Sequence, residues 1–181
     1  MGIIKRFNNA GHAHELTFSC YHRRRHFENR LYCTYLCRAI SESRARYDFD
    51  LLAYVFMFNH VHLLIYPRSD VHDISLMLKS IKQSVGRRVI RAARLAGEAR
   101  LKQFRATTGS QSFRFWQVGG GYDRNIVERN TLRYVMRYIH NNPVRAGLVA
   151  RPELWEWSSY RDWAGLGQGH LTIDRESVSL L

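Results

Sequence analysis

In the stretch Asp50-Leu51-Leu52-Ala53-Tyr54-Val55-Phe56-Met57-Phe58-Asn59-His60-Val61-His62-Leu63-Leu64-Ile65-Tyr66, two apolar runs meet at Phe58-Asn59. Each run has the length of a strand rather than of a helix and is rich in β-branched and aromatic residues. They are predicted as two strands with a short connection, the second ended by Pro67, which cannot donate to a ladder. On the N-terminal side, Ala13 to Tyr21 mixes β-branched and aromatic residues in rough alternation and is predicted as a first strand, followed by a polar turn over Arg23 to His26. Between them, Leu31, Tyr35, Leu36, Ala39 and Ile40 recur at helical spacing, which predicts a helix from Glu28 to Tyr47 that packs across the sheet. On the C-terminal side, Ile74 to about Leu95 is predicted as a long helix, with Ile74, Leu76, Leu78, Ile81, Val85 and Val89 toward the core. Ala99 to Ser112 is a polar stretch, and Phe113 to Val118 is predicted as a strand broken by Gly119-Gly120-Gly121. A last helix near Asn130 to Asn142 is expected to stop at Pro143, with Gly147 in the following turn. The aromatic stretch Leu154 to Tyr160 is expected to pack back on the rest. This order of elements predicts an α+β fold with helices against one central, mainly antiparallel sheet.

The chain has 181 residues, 45% of them apolar, enough to close a core and within the range of one domain. No window approaches the run of about 20 apolar residues that a membrane span needs. The first residues lack the apolar stretch of a secretory signal, so a cytoplasmic location is expected. Cys20, Cys33 and Cys37 include no Cys-x-x-Cys pair and are expected to be ordinary buried thiols. Lys and Arg total 28 against 15 Asp and Glu, a net charge of +13, with a pI near 10.2. A polyanionic partner is the expectation from such a balance. Much of the excess is local: Lys79, Lys82, Arg87, Arg88, Arg91, Arg94, Arg100, Lys102 and Arg105 are opposed only by Glu98. Such a run is either a solvated helix face or a track for phosphates.

Two features carry chemistry. On a strand, successive side chains alternate faces, so His60 and His62 project together about 6.5 to 7 Å apart along the strand, with Val61 on the opposite face. That spacing lets both imidazoles reach one divalent ion, although two histidines at i and i+2 are also compatible with ordinary strand residues. On the last helix, Leu132, Val135, Met136 and Ile139 share one face. Tyr138 and Asn142 lie one turn apart on its flank, where a phenol can attack a phosphodiester and an amide oxygen can complete a histidine-bound metal site. Tyr134 lies further from the apolar face and is the weaker nucleophile candidate.

The motifs Phe58-Asn59-His60-Val61-His62-Leu63-Leu64, Phe115-Trp116-Gln117 with Gly121-Tyr122-Asp123-Arg124-Asn125-Ile126, and Tyr138-Ile139-His140-Asn141-Asn142-Pro143-Val144-Arg145-Ala146-Gly147-Leu148-Val149 occur in that order. Together they resemble the REP-associated tyrosine transposases, relatives of the IS200-like single-tyrosine transposases in the His-hydrophobe-His (HUH) nuclease superfamily. The resemblance runs from about Gly11 to Gly165 and implies a single catalytic domain over residues 1–181 with a ferredoxin-like or RRM-like sheet, and residues 166–181 as a peripheral tail. It implies that His60 and His62 bind the metal, that Tyr138 forms a 5′-phosphotyrosine and frees a 3′-hydroxyl, and that Asn142 occupies the third ligand position. The insertion-sequence relatives carry a glutamine there, and Phe58-Asn59 stands where Pro-Asn is usual. The implied ion is Mg²⁺ or Mn²⁺, hard cations suited to imidazole, amide, phosphate and water. The implied partner is single-stranded or hairpin DNA, acted on by a monomer or a homodimer. Lys79, Lys82, Arg87, Arg88, Arg91 and Arg124 are then candidate phosphate contacts, and Phe115, Trp116 or Tyr122 candidate stacking residues, with a core role the competing expectation for the aromatics. The rival from another class is a catalytically idle regulator that binds DNA or RNA with the same fold. A metal-dependent RNA nuclease without a covalent step is the third reading.

Overall fold

A computed structural model describes residues 8–107, 112–119 and 121–179. Strands β1 (Ala13–Ser19), β2 (Phe49–Phe56), β3 (His60–Pro67) and β4 (Tyr122–Ile126) form one sheet in the order β2-β3-β1-β4, with every neighbouring pair antiparallel. Helix α1 (Arg30–Tyr47) connects β1 to β2, and α2 (Ile74–Leu95) lies between β3 and β4. This is the βαββαβ order of the ferredoxin-like, split βαβ fold. The expected α+β class and antiparallel sheet are what the chain forms.

Alternation along the strands divides the molecule into two cores. Leu16, Phe18, Val61, Leu63 and Ile65 face α1 and α2, where they meet Leu36, Ile40, Ile81, Val85 and Val89. Ala13, Leu52, Ala53, Val55, Leu64 and Ile126 face the other way, onto Leu132, Val135, Met136 and Ile139 of α4 (Arg129–Arg145). Covered on both faces, β2 is buried along its whole length. A register shift between Leu51 and Ala53 lets this strand feed both cores. Helix α1 starts on Asn29, whose side chain accepts from the Leu31 N–H, and α2 on Asp73, which accepts from Ser75 and Leu76. Two expected core positions are exposed: Leu31 and Leu76 sit just off the apolar stripe, and Tyr32, Cys33 and Met77 are buried instead.

Three expectations about elements are corrected. Phe113 to Val118 is not the fourth strand; among the described residues it makes only the isolated bridges Cys20↔Trp116 and Arg105↔Phe113. The strand comes after the glycine run, because Gly121 has φ +75° and a Cβ there would stand 2.2 Å from the Thr17 carbonyl oxygen. The glycine thus brings the chain onto the edge of β1 rather than ending a strand. A short helix, α3 (Glu98–Lys102), interrupts the polar stretch. Pro143 does not stop α4, which runs on to Arg145. So near the end a proline removes only the donor to the Ile139 carbonyl, and Ala146 N–H to Asn142 O and Leu148 N–H to Pro143 O, both 2.9 Å, close the helix.

The chain beyond α4 covers the free edge of β2. Val55 bridges Ser158, the Phe56 N–H donates to Trp157 O, and the indole N–H groups of Trp155 and Trp163 donate to the carbonyls of Phe56 and Leu52. An exposed edge that would pair with other chains is thereby closed. The segment expected to be a peripheral tail also packs in: Leu171 is buried, Asp174 accepts from Leu51 N–H and binds Arg44, and Ser177 Oγ donates to Asp50. Its polar groups match those of β2 and α1, which composition alone does not reveal. The three cysteines are free thiols, two buried and one half-buried, and burial pushes Cys33 and Cys37 up to about 12. Among the described residues, no helix is long and apolar enough to cross a membrane.

Candidate active site

The antiparallel register of β1 against β3 places Ser19 beside His60, Thr17 beside His62 and Glu15 beside Leu64. On its other side β1 sets Thr17 beside Tyr122 and Glu15 beside Arg124. All these side chains share the sheet face crossed by α4. There a cavity of about 510 Å³ is lined by Glu15, Thr17, Ser19, Arg23, His60, His62, Tyr122, Arg124, Tyr134, Val135 and Tyr138. The two histidines and the tyrosine singled out in the sequence therefore meet in one cleft.

His62 is 5% exposed, and its Nδ1 is 2.8 Å from the Thr17 hydroxyl. With that hydroxyl accepting the Nδ1 proton, the lone pair is on Nε2, which is buried and has no partner among the described residues. Half-buried His60 has its Nδ1 2.6 Å from the Asn59 side-chain oxygen, which fixes its tautomer in the same sense. Burial holds His62 down at about 3, with His60 the second cause; burial, then the Arg23 charge, holds His60 at about 4. Both imidazoles are neutral at pH 7, the state in which they ligate metals. Their ring centroids are 4.9 Å apart.

Tyr138, half-buried on α4, sets its ring edge-on to His62 at 5.8 Å. The Arg145 guanidinium lies 4.9 Å over the same ring and orients the phenol through a cation–π contact. Tyr134, 67% exposed and one turn earlier on α4, also lines the cleft. Asn142 does not line the cavity: its side-chain N–H donates to the Tyr138 carbonyl oxygen at 2.8 Å. Among the described residues, no group of three His, Cys, Asp or Glu side chains is placed to hold a metal ion. A neutral histidine pair with one orphaned buried nitrogen nonetheless fits a divalent ion whose other ligands are amide, water and phosphate oxygens.

The candidate DNA contacts separate. Arg124 lines the cleft, and Lys79, Arg87 and Arg91 are exposed. Lys82 is tied to the carbonyl of Gly119 at 2.8 Å, and Arg88 to Glu42 of α1 at 2.8 Å, so these two brace the fold instead of standing free for phosphate. Trp116 is 8% exposed and donates to the Lys82 carbonyl, and Phe115 is 2% exposed; both are core residues, and only Tyr122, 51% exposed, keeps a ring face for a base. The functional positions missed in the sequence are Glu15, Thr17, Ser19 and Arg23. The strand alternation of Ala13 to Tyr21 put the first three on one face, but only the register with β3 says that it is the histidine face. Arg23, in the run Arg23-Arg24-Arg25, reaches the cleft from an αL backbone with φ 52°.

A ferredoxin-like α+β fold that presents two strand histidines and a helix tyrosine to one cavity defines the class. Residues 10–142 match the family described as "Transposase IS200 like". The chain belongs to the IS200-like transposase family, which makes it a DNA-processing protein. Among solved structures, a REP-associated tyrosine transposase bound to a REP hairpin has the same fold. The TM-score is 0.70 at 22% identity, over 97% of this chain and 93% of that one. A putative transposase from Deinococcus radiodurans R1 gives a TM-score of 0.46 at 17% identity, over 78% of this chain and 95% of that one. Comparison with curated proteins found no match.

Proposed function

We propose that this chain cuts and rejoins single-stranded DNA beside a hairpin, with Tyr138 as the nucleophile. The observation that carries the proposal is the Tyr138 ring in T-shaped contact with His62, whose buried Nε2 has no partner among the described residues, in one open cleft. The Tyr138 oxygen attacks a backbone phosphorus and loses its proton. The bond from phosphorus to the 3′ oxygen breaks, which leaves a 5′-phosphotyrosine and a 3′-hydroxyl that carries a proton away. Rejoining reverses these bonds with a 3′-hydroxyl as the attacking group. His60 and His62 would hold Mg²⁺ or Mn²⁺, and Asn142 would become the third protein ligand only by turning its amide from the Tyr138 carbonyl into the cleft; the ion would supply Lewis-acid polarisation and orientation of the phosphate. Thr17 and Asn59 keep the two imidazoles in the ligating tautomer. Arg23 and Arg124 bring positive charge to the phosphate, and Tyr122 offers a face to a base. The hairpin comes from the likeness to the REP-associated transposase, whose own structure holds one.

The test is a labelled hairpin with a single-stranded flank, given with Mn²⁺. A covalent protein–DNA adduct is expected with the native chain and none with Tyr138→Phe. An adduct that survives this substitution sinks the nucleophile assignment. DNA binding with no adduct under any metal condition would favour an idle binding protein.

A further inference from the structure

We propose that His14 and His72 form a second metal site, for an ion of the Zn²⁺ class, at the start of α2 on the sheet face opposite the cleft. The register of β1 against β4 pairs His14 with Asn125 and Leu16 with Asp123, so His14 and Asp123 share the face turned toward α2. His72 directly precedes Asp73, the residue that caps this helix. The two rings stand edge to face, with centroids 5.7 Å apart. Each has its Nδ1 committed: that of His14 donates to the Asp123 carboxylate and that of His72 to the Ser69 carbonyl, both at 2.9 Å. A neutral imidazole that donates from Nδ1 carries its lone pair on Nε2. Both Nε2 atoms are buried and have no partner among the described residues, so they are not bonded to each other either. Protonation of His14 would only put an N–H on the same buried Nε2, still without an acceptor among the described residues.

A carboxylate or a backbone carbonyl on the far nitrogen is what fixes a ligating imidazole and raises its basicity. Both kinds of partner occur here, and the Asp123 charge also offsets that of a cation. Two buried lone pairs without donors are costly, and one ion that accepts both removes the cost. Zinc binds imidazole nitrogens at about 2.0 to 2.1 Å in tetrahedral geometry, which places the centroids of two ligating rings roughly 5 to 5.5 Å apart. The observed separation needs only a small approach of His72, which is half-buried in the segment ahead of α2. No third His, Cys, Asp or Glu joins the pair among the described residues, so water completes the shell. Imidazole ligands select ions of the Zn²⁺ class over the hard cations expected in the cleft. An ion held there ties the start of α2 to β1 and, through Asp123, to β4, the strand that brings Tyr122 and Arg124 to the cleft. The site is structural and stands apart from the cutting reaction proposed above.

The experiment titrates the full chain carrying His60→Ala/His62→Ala, which lacks the cleft histidines, with Zn²⁺ and with Co²⁺, whose visible absorption reports a four-coordinate site. One equivalent should bind, with that absorption, and Zn²⁺ should raise the urea midpoint, because an ion that binds only the folded chain stabilises it. Addition of His72→Ala, outside the core, should weaken binding at least about tenfold and abolish both signals with an unchanged circular dichroism spectrum. Asp123→Asn keeps the shape of the side chain and should weaken binding by about 10- to 100-fold. Excess Mg²⁺ should not displace the ion. The native chain serves as a second measurement should the double variant fail to fold: His72→Ala should remove one equivalent from it. No binding by the folded double variant, an affinity that His72→Ala leaves unchanged, or displacement by Mg²⁺ would overturn the proposal. Failure of the cleft reading would look different: the native chain would bind one equivalent in all, and His72→Ala would remove it.

Discussion

At the residue scale, Thr17 is the clearest case of a side chain whose role lies in what it does to another. Its hydroxyl, 2.8 Å from His62 Nδ1, accepts the Nδ1–H and so leaves the lone pair on Nε2. Loss of such an outer hydrogen bond typically costs 10- to 100-fold in metal affinity or activity. Thr17→Val keeps the branched shape and β propensity. It should therefore weaken Mn²⁺ binding by about 10- to 100-fold, read by calorimetric titration, with an unchanged circular dichroism spectrum. Unaltered Mn²⁺ affinity would refute the role. Arg145 plays a related part for Tyr138, as a cation over the ring rather than a bond to it.

At the element scale, β4 decides whether the cleft has a third wall. It is short, polar and paired only to β1, so its placement depends on the turn that delivers it. Gly121→Ala would put a methyl group 2.2 Å from the Thr17 carbonyl oxygen at φ +75°. Strained backbone positions cost about 1 to 3 kcal/mol each, and the clash with fixed backbone adds to that. The expected result is a loss of at least about 2 kcal/mol in urea denaturation, with weaker binding of single-stranded DNA because Tyr122 and Arg124 are displaced. A midpoint within error of the native chain would contradict this account of the turn.

At the scale of the whole molecule, neutral imidazoles are built into both cores. His26 stacks on Phe115 and packs against Phe104, and His140 is paired with Ser159 at 2.9 Å; burial holds each at about 4, with Arg24 adding to the effect on His26. An unfolded histidine titrates near 6.5. Between these values the unfolded chain binds more protons than the folded one, so the stabilisation is complete above pH 6.5 and declines as the pH falls toward 4. Metal-free His60 and His62 add to the same trend. Urea midpoints should therefore fall steadily from pH 7 to pH 4.5, and His140→Gln should flatten the slope; a flat profile in the native chain would refute it.

Local pattern was enough for the two central strands, both long helices, the facing of His60 and His62, and the apolar side of the last helix. Those features depend on alternation and helical phase, which act between near neighbours in the chain. Phase by itself misplaced Leu31 and Leu76, whose exposure depends on how far each helix is rolled against its neighbour. The strand placed at Phe113 to Val118 failed for a comparable reason, since an apolar run is equally at home in a buried connection and β4 is polar because it is an edge. The roles of Lys82, Arg88 and Trp116 depend on partners 37, 46 and 34 residues away in the chain. By itself the sequence determined the fold class, the histidine face and the helix that bears Tyr138, because each is set by short-range periodicity. Only the tertiary structure decided that Glu15, Thr17, Ser19 and Arg23 join the cleft, that Asn142 stays off its wall, and that His14 and His72 meet at the start of α2. Those facts are set by strand register and helix packing, which bring together side chains that no local pattern links.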